Sequence, residues 1–124
     1  MTSASSTLEY LKRFDVYRAA QAAAVECVAC CAAWPRGHAK LADQLKRAST
    51  SVALNVAEGI AKRRPAEKRK AYDIARSECT EAIAALHHAL LLQLADEDAI
   101  GIAMSHLERA SAMLFVLQRR FGGH

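Results

Sequence analysis

The sequence predicts an all-α protein: an antiparallel, up-and-down four-helix bundle that assembles into a homo-oligomer. The chain has 124 residues, of which 52% are hydrophobic and 24% are charged, a composition typical of one folded domain. Alanine, the best helix former, supplies 27 residues, whereas five glycines and two prolines are too few for a many-stranded β fold. Apolar residues recur at intervals of three and four over four long segments, and strand-like alternation is absent.

Four helices are expected between the breaks at residues 34–37, 59–65 and 96–98. They cover residues 14–34, 38–60, 65–95 and 97–120. Short connections between long helices make sequential helices antiparallel. Residues 14–121 are therefore expected to form the bundle domain, and residues 1–13 a flexible or partly helical N-terminal segment.

Each predicted helix has one apolar face. In the first helix the face is Tyr17, Ala20, Ala24, Cys27, Cys31 and Trp34. In the second it is Leu41, Leu45, Ala48, Val52, Asn55 and Gly59. In the third it is Tyr72, Ala75, Cys79, Ala82 and Leu86, with drift to Leu90 and Leu94. In the fourth it is Ile100, Ala103, Leu107, Ala110, Leu114, Leu117 and Phe121.

The residues at the ends of the predicted helices are of types that are preferred at helix ends. Pro65 suits the first turn of the third helix, where its missing N–H costs nothing. Asp96 or Asp98 can cap the fourth helix.

Six apolar residues fall outside these faces or widen them: Val25, Val28, Leu54, Ile74, Leu91 and Leu92. A small monomeric bundle is expected to carry charge at many such positions. We interpret the surplus as a second contact face and predict self-association. A broad core stripe is the alternative.

Basic residues are concentrated at one end of the predicted bundle. Up-and-down order places the starts of the first and third helices beside the ends of the second and fourth. These places hold eleven of the 17 basic residues, three of them being Lys12, Arg13 and Arg18. The other eight are the candidate nucleic-acid-binding residues: Lys62, Arg63, Arg64, Lys68, Arg69, Lys70, Arg119 and Arg120. The net charge of +4 thus conceals a polarised molecule whose opposite end is acidic at residues 96–98.

Dense Lys and Arg attract nucleic-acid phosphates by releasing counterions, without reading base sequence. The sequence contains no recognisable reading helix, zinc finger or aromatic stacking platform. These features predict a salt-sensitive DNA or RNA binder of little sequence specificity. The alternative is a purely structural or protein-interaction oligomer whose charge only keeps it soluble.

We find no phosphate loop, nucleophile elbow or acid pair at a telling spacing, so no enzyme, catalytic residue or cofactor is expected. Cys27, Cys31 and Cys79 lie on core-facing positions, where three thiolates can bind zinc or copper(I). Core packing is the favoured interpretation because free cysteines are among the most buried residues, so no metal site is predicted. A soft-metal binder remains a third hypothesis.

The N-terminus has no basic start followed by an apolar stretch, so a cytoplasmic protein with free thiols is expected. No apolar run approaches the roughly 18–20 residues that span a bilayer, and no membrane partner is expected.

The end of the second helix contains an unusual polar group. Asn55 occupies the apolar face, where its amide needs a hydrogen-bond partner. Glu58 is within reach of a cation on a neighbouring helix, and Gly59 permits close approach or a left-handed helix end. We interpret these residues as a polar network that specifies packing; a binding site at the basic end is the alternative.

The stretch from residue 44 to 59, QLKRASTSVALNVAEG, resembles the signature of the S23, or intervening-sequence, family. Similarity extends to the Ile74-Ala75-Arg76 stretch with Glu81, the 14–17 opening and the Trp34-Pro35 break. Ser77 and Glu78 depart from the usual Gly-Ser, and the Ala- and Cys-rich first helix is atypical.

The resemblance implies an up-and-down four-helix bundle that assembles into a homopentamer. It also implies a link with insertions in ribosomal RNA genes, or with diversity-generating retroelements, whose accessory proteins bind nucleic acid and a reverse transcriptase. By position, the family's signature residues here are Arg47, Ser51, Asn55, Glu58 and Gly59. We assign them to packing and assembly.

Overall fold

The computed structural model describes residues 5–122, which form five α-helices and no strand. The helices are α1 (Ser6–Leu11), α2 (Asp15–Ala32), α3 (Ala39–Ala61), α4 (Pro65–Leu91) and α5 (Glu97–Gly122). The prediction of an all-α, bundle-like fold is confirmed. The short α1 lies within the predicted N-terminal segment, whose residues 1–4 are outside the described part of the chain.

The four long helices enclose one core. α2 and α4 each pack against both α3 and α5. Each helix contributes completely buried side chains, among them Cys27 of α2, Leu45 of α3, Leu86 of α4 and Leu107 of α5. The predicted apolar faces supply most of this core, because residues three and four apart share one side of a helix.

Two helix ends differ from the prediction. The third predicted helix extends to residue 95, but α4 ends at Leu91. Gln93 adopts a left-handed backbone with φ 59°, and the Leu94 amide donates to the Ala89 carbonyl at 3.0 Å. This Schellman closure ends the helix and buries Leu94, without the glycine that usually marks such a site. α5 runs to Gly122, two residues beyond its predicted end.

Asp96 and Asp98 were the two predicted N-caps of the last helix, α5. The Asp96 carboxylate accepts a hydrogen bond from the Ala99 amide at 2.7 Å, so Asp96 is the capping residue. Pro65 occupies the first turn of α4, as predicted.

The length and hydropathy of α5 also suffice for a membrane span, alone among the helices of residues 5–122. Its most apolar 18-residue window has a mean hydropathy of 1.3, and 28% of that window is buried. The sequence of α5 shows no uninterrupted apolar run of that length because Glu108 and Arg109 lie in the middle of the helix. In the bundle, Leu107 and Leu114 of α5 face the core.

The surface carries many apolar side chains. All six residues predicted to lie outside the core faces are exposed, from 41% for Ile74 to 66% for Leu91. Three more, which the sequence analysis did not single out, lie on α5: Ile102, Phe115 and Val116. Self-association through this surface stays a prediction.

Candidate nucleic-acid interface

The end of α3, the start of α4 and the end of α5 are joined by hydrogen bonds. The Lys68 ammonium of α4 donates to the carbonyls of Gly59 and Ile60 in the last turn of α3, at 3.0 and 3.1 Å. The Arg69 guanidinium donates to the carbonyl of Gly122 in the last turn of α5, at 3.3 Å. These bonds place the basic segments of the three helices side by side.

The start of α2 reaches the same place. A pocket of about 410 Å³ is lined by Phe14 and Val16 at the start of α2, Lys68 and Tyr72 of α4, and Phe121 of α5. We call this part of the molecule the basic end. The eleven predicted cations lie in or next to the segments that meet here. The acidic residues 96–98 follow the opposite end of α4, whose 27 residues span about 40 Å.

Two of the eight candidate binding residues hydrogen-bond to the last turn of a neighbouring helix. Lys68 is half-buried; besides capping α3, its ammonium lies 5.7 Å from the centre of the Phe121 ring. Arg69 is also half-buried, and its Nε lies 3.7 Å from an Asp73 oxygen in addition to the bond to Gly122. The sequence could not distinguish these helix-joining cations from solvent-facing ones.

The other six candidates are exposed: Lys62, Arg63, Arg64, Lys70, Arg119 and Arg120. Within residues 5–122 none of the six forms an ion pair. At the start of the first long helix, by contrast, Lys12 pairs with Glu9 and Arg18 with Asp15. The six exposed cations are therefore the part of the basic end available to an anionic ligand.

Gly59 is required by the packing at this end. A Cβ atom at Gly59 would lie 2.4 Å from Cε1 of Tyr72, far inside van der Waals contact. Tyr72 is only 3% exposed and packs against Phe121, with ring centroids 6.1 Å apart. The predicted close approach at Gly59 is present, and its partner is the Tyr72 ring.

A family model described as 23S rRNA-intervening sequence protein matches residues 12–116. The chain belongs to this family. The match covers α2, α3, α4 and most of α5 and confirms the resemblance found in the sequence. A search of the curated proteins found no significant match.

The signature residues of this intervening-sequence family member lie along α3. Asn55 is half-buried, and its amide donates to the Ser51 carbonyl at 2.9 Å and the Ser51 hydroxyl at 3.0 Å. The exposed Arg47 reaches α4, where its guanidinium lies 3.4 Å from a Glu81 oxygen. Glu58 lines a pocket of about 240 Å³ together with Lys70 of α4. The Asn55–Ser51 bonds lie within one helix, whereas Arg47 and Gly59 contact α4.

The four cysteines are buried. Burial raises the pKa of the Cys27 and Cys79 thiols to about 12 and that of Cys31 to about 11. The pKa of Cys30 is also raised by burial. Between residues 5 and 122, no three or more His, Cys, Asp or Glu side chains are grouped as a metal would require. All four thiols pack within the hydrophobic core.

One cluster between α4 and α5 was not predicted from the sequence: Asp73 and Arg76 of α4 with Phe115 and Gln118 of α5. The only signal was Arg76 itself, within the Ile-Ala-Arg stretch. Its partners are some 40 residues away in the chain, so their proximity depends on how α4 and α5 pack.

Proposed function

We propose that this protein is a non-enzymatic homo-oligomer that binds nucleic acid through its basic end with little sequence specificity. The observation that supports it best is the pair of contacts Lys68–Gly59 and Arg69–Gly122. An antiparallel, up-and-down order of the helices would produce such contacts. Through them the basic segments at the end of α3, the start of α4 and the end of α5 lie close together.

The six exposed cations provide the affinity. Each phosphate neutralised by Lys or Arg releases condensed counterions, so affinity falls steeply as salt rises. For about six phosphate contacts to duplex DNA, we expect a loss of roughly a thousandfold between about 50 and 200 mM salt. Because contacts to phosphates carry no sequence information, base sequence should matter little.

Oligomerisation would multiply the basic end. Exposed Val25, Val28 and Leu54, with Ala53, border a groove between α2 and α3 that a second copy could cover. The family resemblance implies that the assembly is a pentamer. It also implies that the protein partner is a reverse transcriptase. Several basic ends on one assembly would raise affinity for a long polyanion through effective concentration.

A matched charge-reversal experiment tests the proposal. Fluorescence anisotropy measures binding of labelled DNA and RNA, single-stranded and duplex, over about 50–200 mM salt. Arg63→Glu with Arg64→Glu alters the basic end. The control is Arg36→Glu with Lys40→Glu, which changes the net charge by the same amount. Arg36 lies in the loop before α3 and Lys40 in the first turn of α3, at the end of the bundle opposite the basic end. We expect the first pair to weaken binding at least tenfold and the second pair to have little effect.

Salt-independent affinity, or equal losses in the two double variants, would contradict the proposal. If the native protein binds no nucleic acid at low salt, the alternative of a purely structural or protein-interaction oligomer is supported instead. Light scattering of the same samples measures the oligomeric state.

A further inference from the structure

An exposed aromatic ring on α5 lies between two arginines. Phe115 is 42% exposed. The guanidinium carbon of Arg76, on α4, lies 4.8 Å from the centre of its ring, and that of Arg119, one turn further along α5, lies 5.7 Å away. Both distances are within the range of cation–π attraction, so the ring and the two guanidinium groups form one surface.

Hydrogen bonds to neighbouring side chains hold Arg76 over this ring. Its Nη1 donates to Oε1 of Gln118 at 2.9 Å. The Gln118 amide in turn donates to Oδ1 of Asp73 at 2.7 Å, which orients the glutamine. Asp73 also lies 3.7 Å from Nε of Arg69. This chain of contacts joins α4 to α5 and fixes the guanidinium before any ligand arrives.

Arg76, which lies over the ring, also lines a small polar pocket of about 220 Å³. It is lined by the Asp73, Arg76 and Gln118 network and by three hydroxyl side chains: Ser77 and Thr80 of α4 and Ser111 of α5. Hydroxyls and a guanidinium are donors that suit a phosphate group. The Asp73 carboxylate is the one acidic group in the lining, and Gln118 and Arg69 already partner it.

From this arrangement we infer a site for one unpaired nucleotide. The base stacks on the exposed surface that Phe115 forms with the guanidinium groups of Arg76 and Arg119, and its phosphate enters the hydroxyl-lined pocket. Stacking on an aromatic ring is available to any base because each base has a π face. Bases inside a duplex have their faces covered by neighbours, so this site favours single strands. The inference rests on the proposed nucleic-acid binding and adds to it a preference for unpaired bases.

Three probes of similar length, about 16 nucleotides, test the inference by anisotropy. They are an oligothymidylate, an abasic strand that has the phosphates without the bases, and a duplex. The variants are Phe115→Ala, the aromatic replacement Phe115→Trp, and the control Ile102→Ala, which removes another exposed apolar side chain of α5, 51% exposed.

We expect the native protein to bind the oligothymidylate at least about tenfold more tightly than the abasic strand, the amount that one stacked base supplies. Phe115→Ala should abolish this difference and leave abasic-strand and duplex affinity unchanged. Phe115→Trp, which keeps an aromatic ring, and the control Ile102→Ala should both retain the tighter binding of the oligothymidylate.

Three results overturn the inference. If the native protein binds the oligothymidylate and the abasic strand equally well, there is no stacking site, while the proposal of binding through phosphates still holds. If Phe115→Ala loses affinity equally for all probes and its oligomeric state changes, the ring contacts a second copy of the chain instead of a base. If the native protein binds none of the probes, the proposed function fails as well.

Discussion

Replacing Gly59 with alanine tests the packing at the basic end. The added Cβ would lie 2.4, 2.8 and 2.9 Å from three carbons of the Tyr72 ring, against about 3.5–4.0 Å for comfortable contact. The buried ring must therefore shift by about 1 Å, against Phe121 on its other side. Overpacking of this kind costs about 1–3 kcal/mol, and the higher helix propensity of alanine returns up to about 1 kcal/mol. We expect Gly59→Ala to destabilise the fold by about 1–2 kcal/mol.

Urea unfolding at a fixed protein concentration measures this change as a lower midpoint with an unaltered slope. Gly101→Ala is the matched control because a Cβ there meets no atom within 4 Å. This second variant should be stabilised by about 0.5–1 kcal/mol through helix propensity alone. In a Tyr72→Leu background, Gly59→Ala should lose most of its cost. An unchanged cost in that background, or a Gly59→Ala protein as stable as the native one, would refute the role assigned to the ring.

Four further predictions concern helix ends and thiols. Asp96→Ala should lower the free energy of unfolding by about 1 kcal/mol through loss of the cap, whereas Asp98→Ala should cost less; equal effects would contradict the assignment. Gln93→Gly should stabilise the protein by about 0.5–1 kcal/mol because glycine adopts a positive φ without strain, and thermal unfolding measures the gain. Burial raises the pKa of Cys27 and Cys79 to about 12, so native thiols should react slowly with a disulfide reagent at pH 8, and all four should react in denaturant. Since the unfolded thiols ionise near pH 9 and the buried ones do not, stability from this source is complete below about pH 8 and falls as pH rises further; constant stability through that range would be the contrary result.

Much of the fold could be predicted because the relevant signals are local. The apolar face of the fourth predicted helix, from Ile100 to Leu114, is buried at its predicted positions. The end of α4 was harder to predict, since Gln93 replaces the glycine that usually signals a left-handed cap. Apolar residues also continue beyond Leu91, so the pattern shows no stop.

The candidate site was only partly predictable. Clustering of Lys and Arg in the sequence indicated a basic end, but not that Lys68 caps α3 and Arg69 joins α4 to α5. Asn55 occupied the predicted apolar face, yet it is half-buried and bonded within its own helix. A side chain's partner on another helix depends on the rotation and axial position of both helices, which sequence spacing within one helix does not determine.

The sequence by itself determined the helices, their inward faces and the clustering of positive charge, because each follows from residues a few positions apart. Tertiary structure alone decided which cations face solvent, why a side chain at Gly59 destabilises the packing, and that Arg76 lies over Phe115. These features come from contacts between helices. They depend on distances of a few ångströms between residues that are far apart in the chain.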